Sequence, residues 1–167
     1  MNQSKWTPFI QNLWFRRHYM KFVYVLQFLI LSIPFQVEFG FSQLNMISLI
    51  LLAISTFIVH EWIHIVIVHK KGDMSLTFRG IFFWLHSNAV LSKPRFFLFM
   101  SSPFILLTMI PGTLSFFMPE ELQVALLFVC WINTLYSASD LFNSVLILLK
   151  PRNSKFYRGF YKVESVQ

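Results

Sequence analysis

Residues 44–68 read LNMISLILLAISTFIVHEWIHIVIV, and the fold of the chain turns on this stretch. It contains no Pro or Gly and is longer than the about 20 apolar residues that an α-helix needs to cross a bilayer. Its ionisable residues are His60, Glu61 and His64. The stretch is therefore expected to be a membrane span.

Composition points the same way. The chain is 56% hydrophobic and 13% charged, against roughly a quarter charged in an ordinary soluble domain. So short a soluble domain could not hide this much apolar surface, whereas lipid accepts it directly. Working outward from residues 44–68, three further spans are expected. One covers about 22–39 and is interrupted by Pro34; one covers about 96–117 and is broken or kinked by Pro103 and Pro111-Gly112; one covers about 122–149. The expected fold is an all-α membrane protein of about four transmembrane helices, forming a single membrane domain over 1–167. An aromatic and basic segment at 1–21 precedes the spans, and a basic C-terminal tail at 150–167 follows them.

The flanking charges orient the spans. Lys5, Arg16, Arg17 and Lys21 precede the first. Lys70, Lys71, Arg79, Lys93 and Arg95 lie between the second and third, and Lys150, Arg152, Lys155, Arg158 and Lys162 follow the fourth. The two remaining connections hold only Glu38, Glu120 and Glu121. Positive charge stays inside, so both termini and the middle loop are expected in the cytoplasm of a multi-pass cell-membrane protein. That placement also accounts for the net charge of +7 without nucleic acid as a partner. No small-residue cleavage site follows the first apolar stretch, which argues for a retained span and against a removed signal. Trp6, Phe9, Leu13 and Trp14 beside Arg16 and Arg17 read either as an interfacial segment or as a disordered tail.

The middle loop is rich in strand formers. Ser75-Leu76-Thr77-Phe78-Arg79 and Ile81-Phe82-Phe83-Trp84-Leu85 flank Gly80, which predicts a short β-hairpin, and residues 88–91 could add a third strand. Cys130 stands alone, so neither a disulfide framework nor a thiolate metal cluster is expected.

His60-Glu61-Trp62-Ile63-His64 is H-E-x-x-H. Residues four apart share a helix face, so the two imidazoles can grip one cation, and the glutamate can act as general base on a water there. With five His and five Glu in the chain, a chance match is on the order of one in a few hundred. Two plainer readings stand beside it: imidazoles solvated at a helix end with Glu61 paired to Lys70 or Lys71, and a metal site without chemistry.

A catalytic zinc takes three protein ligands. The chain has two aspartates, Asp73 in the loop and Asp140 inside the fourth span. His64 and His60 precede Lys70 by six and ten residues, and Asp140 precedes Lys150 by ten. At 1.5 Å per residue all three lie roughly 9–15 Å below one face. Asp140 is thus the expected third ligand, with one Zn²⁺ per chain. Asn133, Ser137, Asp140 and Ser144 form a stripe on one helix face. Asn133 or Ser137 either orients Asp140 or donates to a substrate carbonyl, or both merely bond between helices. His18, His69 and His86 read as flank or surface residues.

These residues together resemble the site-2 protease group of membrane zinc metalloproteases: H-E-x-x-H in one membrane helix, a hairpin-like loop, then a later helix with an intramembrane Asp. Residues 90–103, VLSKPRFFLFMSSP, are similar to the stretch that opens the group's next helix, with Ser102-Pro103 where Gly-Pro is usual. The segment from Asn133 through Asp140 to Asn143 is similar to a small bacterial branch of zincin peptidases of unknown function. The resemblance covers roughly residues 44–149, and its specific part is the H-E-x-x-H and the Asp-bearing helix. Asp140 is followed by Leu141 where the group has Gly. The resemblance implies zinc held by His60, His64 and Asp140, Glu61 as general base, and hydrolysis of a peptide bond in or near the membrane of a protein substrate. Rival readings of the same residues are a metal transporter or sensor and an inactive, partner-binding scaffold.

Overall fold

Asparagines start two of the helices. The computed structural model describes residues 6–69, 74–79, 82–87 and 89–164, the strands at 74–79 and 82–87 by their backbone. Asn12 Oδ1 accepts the Phe15 N–H at 2.9 Å and opens α1 (Leu13–Ser32). Asn45 Oδ1 accepts the Ser48 N–H at 2.8 Å and opens α2 (Met46–Val68). Each side chain satisfies a main-chain donor that has no partner inside the helix. Helix α1 thus begins earlier than the expected 22–39. Trp14, Arg16 and Arg17 form its first turns, and it passes into a 3₁₀ turn at Ile33–Phe35, where Pro34 ends the regular pattern.

Helix α2 is amphipathic in the inverse sense. Thr56, His60, Ile63, His64 and Val68 are buried, while Ile47, Leu51, Ile54, Ile58 and Trp62 are exposed. Its polar chemistry faces the protein and its apolar face looks out.

After α2 come β2 (Met74–Arg79) and β3 (Phe82–Ser87), an antiparallel hairpin in which Arg79 pairs with Phe82 and Leu76 with Leu85. Lys5, Lys70, Lys71, Asp73, Gly80 and Asn88 lie outside the described residues, and with them the alternative pairing of Glu61 to a loop lysine. Of the third strand expected over 88–91, Ala89 and Val90 are not in a strand; Leu91 begins the two-residue β4 (Leu91–Ser92), which joins a different sheet.

The third apolar stretch is a helix with a widened middle. Helix α3 (Lys93–Phe104) leads into a π-turn at Ile105–Met109, where Ile110 N–H reaches back to the Ile105 carbonyl, and continues as α4 (Ile110–Ser115). The turn lies between Pro103 and Pro111, each lacking the N–H that a regular helix needs. The expected continuous helix over 122–149 is two helices, α5 (Glu120–Tyr136) and α6 (Ala138–Leu148), bent by 61° at Ser137. The neighbouring α1 serves main-chain acceptors on both sides of the bend: Gln27 donates to the Leu135 carbonyl at 3.2 Å and Tyr19 to the Ser139 carbonyl at 3.2 Å. Sequence spacing does not show such a break, because it is supported from another helix.

The fold is mostly helical, and Leu13–Phe35, Met46–Val68 and Lys93–Ser115 are long and apolar enough to cross a membrane, with α5 and α6 a fourth candidate if the bent pair is one span. A four-stranded antiparallel sheet gathers distant segments in the order β1 (Thr7–Pro8), β6 (Phe160–Val163), β5 (Ser154–Tyr157), β4. Residues 150–167, expected as a basic tail, thus contain a hairpin. Its turn uses Arg158 and Gly159 with φ of 43° and 77°, the left-handed pair that suits a two-residue hairpin turn. Phe9, Ile147 and Phe156 form a buried cluster under this sheet, with Phe96 packed against it. Lys93 Nζ donates to the carbonyls of Leu148 and Lys150, closing the end of α6 against the start of α3.

Phe156→Ala should cost about 3–5 kcal/mol. It should also render residues 154–163 protease-sensitive in detergent before the helices melt, as followed by mass spectrometry during limited digestion.

Candidate metal centre

The inward face of α2 presents His60 and His64 one turn apart, with ring centroids 5.0 Å apart and planes at 76°. Across from them, the bend at Ser137 sets Asp140 in the first turn of α6, where the helix dipole favours a carboxylate. Asp140 Oδ2 lies 3.2 Å from His60 Nε2 and 3.2 Å from His64 Nε2. All three are buried. A tetrahedral site with bonds of about 2.0–2.1 Å has ligand atoms about 3.3–3.4 Å apart. The two nitrogen–oxygen separations come close to that edge, and one ligand atom from each residue lies within 4.8 Å of the others.

The donor set fits a zinc ion. Two imidazoles and one carboxylate match its preference for nitrogen and oxygen and leave a fourth position for water or substrate. Without a cation, two imidazoles and a carboxylate share a largely buried site, where charge is costly unless compensated.

Each imidazole is held differently. His60 Nδ1 meets Asn133 Oδ1 at 3.0 Å. The His64 ring packs against Phe99, centroids 4.5 Å apart, and its buried Nδ1 has no hydrogen-bond partner among the described residues. Glu61, half-buried, follows His60 on α2. Among the described residues its carboxylate has no hydrogen-bond partner.

The expected site residues therefore divide. His60, His64 and Asp140 come together, with Glu61 adjoining. Asn133 contacts His60 instead of Asp140, and its Nδ2 is taken up by the Pro103 carbonyl at 3.0 Å and Thr108 Oγ1 at 2.9 Å. Ser137, like Asn133, is fully buried, with its Oγ 3.4 Å from Asn133 Nδ2. His18 is half-buried and His69 exposed, and each is bonded to a carbonyl one turn back, at Trp14 and Val66. The side chain of His86 and all of Asp73 lie outside the described residues. Phe99 and Thr108 carried no signal in the sequence: an aromatic in a Phe-rich run and a lone Thr gain meaning only from what they touch. Next to the centre, Phe99 also lines a cavity of about 520 Å³ together with Phe9, Leu91, Phe96, Met100 and Phe156.

Two histidines from one helix and an aspartate from another, with a glutamate following the first histidine, form a group that could hold a metal ion within a helical protein. The chain belongs to the family described as "Putative zincin peptidase", whose profile matches residues 53–155, from the middle of α2 into β5. No curated protein and no solved structure matches the chain.

His60→Ala or Asp140→Ala should reduce zinc from about one ion per chain to near zero after dialysis. Phe99→Ala should keep the stoichiometry and weaken affinity on the order of tenfold. Metal analysis of purified protein and competition with a chromogenic chelator measure the two effects.

Proposed function

We propose that this chain is a membrane-embedded zinc metalloprotease of the site-2-protease kind, hydrolysing a peptide bond of a protein substrate in or near the membrane. The observation that carries the proposal is the convergence of His60, His64 and Asp140 at 3.2 Å contacts beside Glu61, which has no hydrogen-bond partner among the described residues. Membership of a zincin peptidase family supports the hydrolytic part. The outward apolar face and inward polar face of α2 support the membrane part, because ionisable side chains in a bilayer turn toward the protein interior.

In this reading His60, His64 and Asp140 would hold the metal. When bound, zinc supplies a Lewis acid that polarises a carbonyl and brings the pKa of a water to about 7. Glu61 would accept a proton from the attacking water as its oxygen bonds to the scissile carbonyl carbon. It would then deliver the proton to the departing amine as the C–N bond breaks. Burial of the three ligands keeps bulk water from competing for their lone pairs. A helix shields its own peptide bonds, so the segment that is cut must be extended locally before it reaches Glu61.

Topology follows the flanking charges. β1, β4 and the β5–β6 hairpin belong to the N-terminal segment, the middle loop and the C-terminal segment, and they share one sheet. Sharing a sheet requires all three on one side of the membrane. The positive flanks make that side cytoplasmic.

Glu61→Gln should retain zinc and lower cleavage of a trapped substrate on the order of 10²–10⁴-fold or more. A Glu61→Gln protein that processes normally overturns the protease reading, and metal uptake into proteoliposomes by that variant would favour a transporter. On a Cys130→Ala background, single cysteines at Lys155 and Glu120 should react with an impermeant maleimide from the cytoplasmic and the opposite side, respectively; labelling of both from one side would refute the topology.

A further inference from the structure

An imidazole can ligate a cation only through a nitrogen that carries no hydrogen. For His60 that choice is made by residues that touch neither the metal position nor each other in sequence. Asn133 lies opposite the ring with its whole side chain buried. Its amide could in principle turn either end toward Nδ1. The Pro103 carbonyl, 3.0 Å from Asn133 Nδ2, has lone pairs and no hydrogen, so it accepts from an NH₂ and repels an oxygen. Thr108 Oγ1, in the π-turn, lies 2.9 Å from the same Nδ2, and its own hydroxyl hydrogen has acceptors at the Cys130 carbonyl and Thr134 Oγ1. Both amide hydrogens are thereby used. The oxygen is left facing His60 Nδ1 at 3.0 Å, and an oxygen there requires a hydrogen on Nδ1.

We propose that Asn133 is a positioning residue: held by the Pro103 carbonyl and by Thr108, it locks neutral His60 as the Nδ1–H tautomer and so aims a bare Nε2 at the cation position. The consequence is specific. A bare Nε2 facing a carboxylate oxygen at 3.2 Å is two lone pairs in contact, which is repulsive unless a positive charge lies between them. The lock therefore favours the metal-bound state over a relaxed empty one. It is also one-sided: His64 Nδ1 has no such partner among the described residues. His60 is the anchored ligand and His64 the adaptable one. The lock removes Asn133 as a donor to substrate, since no N–H of its amide is left over.

The idea rests on the metal-binding part of the proposed function and is independent of proteolysis. Its test uses full-length protein in nanodiscs with ¹⁵N-labelled histidine, metal-free and at alkaline pH so that the rings are neutral. Nitrogen shifts should identify His60 as the Nδ1–H form, assigned by its loss in His60→Ala, and the opposite tautomer would overturn the proposal. Zinc affinity by chelator competition gives the second readout. Asn133→Leu should weaken binding on the order of 10–100-fold. Asn133→Asp loses the same two donor bonds but keeps an acceptor for Nδ1–H, and it should recover most of that loss. Thr108→Val should weaken binding by a smaller factor, on the order of threefold to tenfold. If Asn133 were only a clamp between helices, the Asp and Leu variants would be equally weak at equal melting temperature, and that result also overturns the proposal. Should the Asp variant fail to fold, the wild-type tautomer decides alone. Wild-type protein that binds no zinc would sink the proposed function while leaving the tautomer measurement able to decide this inference.

Discussion

A largely buried carboxylate shared by two imidazoles is the constraint on which the rest of this structure depends. Burying Asp140 with His60 and His64 is costly unless each donor and acceptor finds a partner and the charge is balanced. Helix α2 answers by turning its polar residues inward. Helix α6 answers by placing Asp140 in its first turn, where the unpaired main-chain N–H groups favour negative charge. The outward apolar faces and the inward polar ones are two sides of the same solution.

The departures from regular helix gather around this constraint. The π-turn at Ile105–Met109 carries Thr108, and Pro103 just before it supplies a carbonyl; both hold Asn133. The bend at Ser137 lies between Asn133, which contacts His60, and Asp140, which contacts both imidazoles. Wide turns and breaks expose main-chain groups that a straight helix would use internally, and they re-aim side chains by large angles. Straightening either element would separate residues that now meet. Helix α1 contributes from outside the site, since its Gln27 and Tyr19 bond to carbonyls on either side of the bend.

The small sheet has a mechanical role at one end of the bundle. It joins the segment before α1, the segment before α3 and the hairpin after α6, with Phe9, Phe156 and Ile147 beneath it. Lys93 ties the start of α3 to the end of α6. Helix α3 carries Phe99, which packs on His64, and α6 carries Asp140. The sheet and Lys93 therefore restrain the two helices that complete the centre begun by α2.

Local pattern was enough to reveal several parts of this molecule. Residues 44–68 announce a long apolar helix because nothing in them interrupts one. His60 and His64 announce a shared face because four residues make about one turn. Asp140 stands out because a carboxylate in an apolar run needs a partner. The hairpin over 74–87 was legible because strand formers flank Gly80. Other features lie beyond any window along the chain: the bend at Ser137, the joining of β4 to β5, and the hold of Pro103 and Thr108 on Asn133. Each depends on a hydrogen bond or packing contact between residues far apart in sequence. The sequence by itself determined which side chains could ligate a cation and which helices would carry them. Only the tertiary structure decided that those side chains meet and which nitrogen of His60 faces Asp140, because both outcomes are set by partners that fold in from other helices.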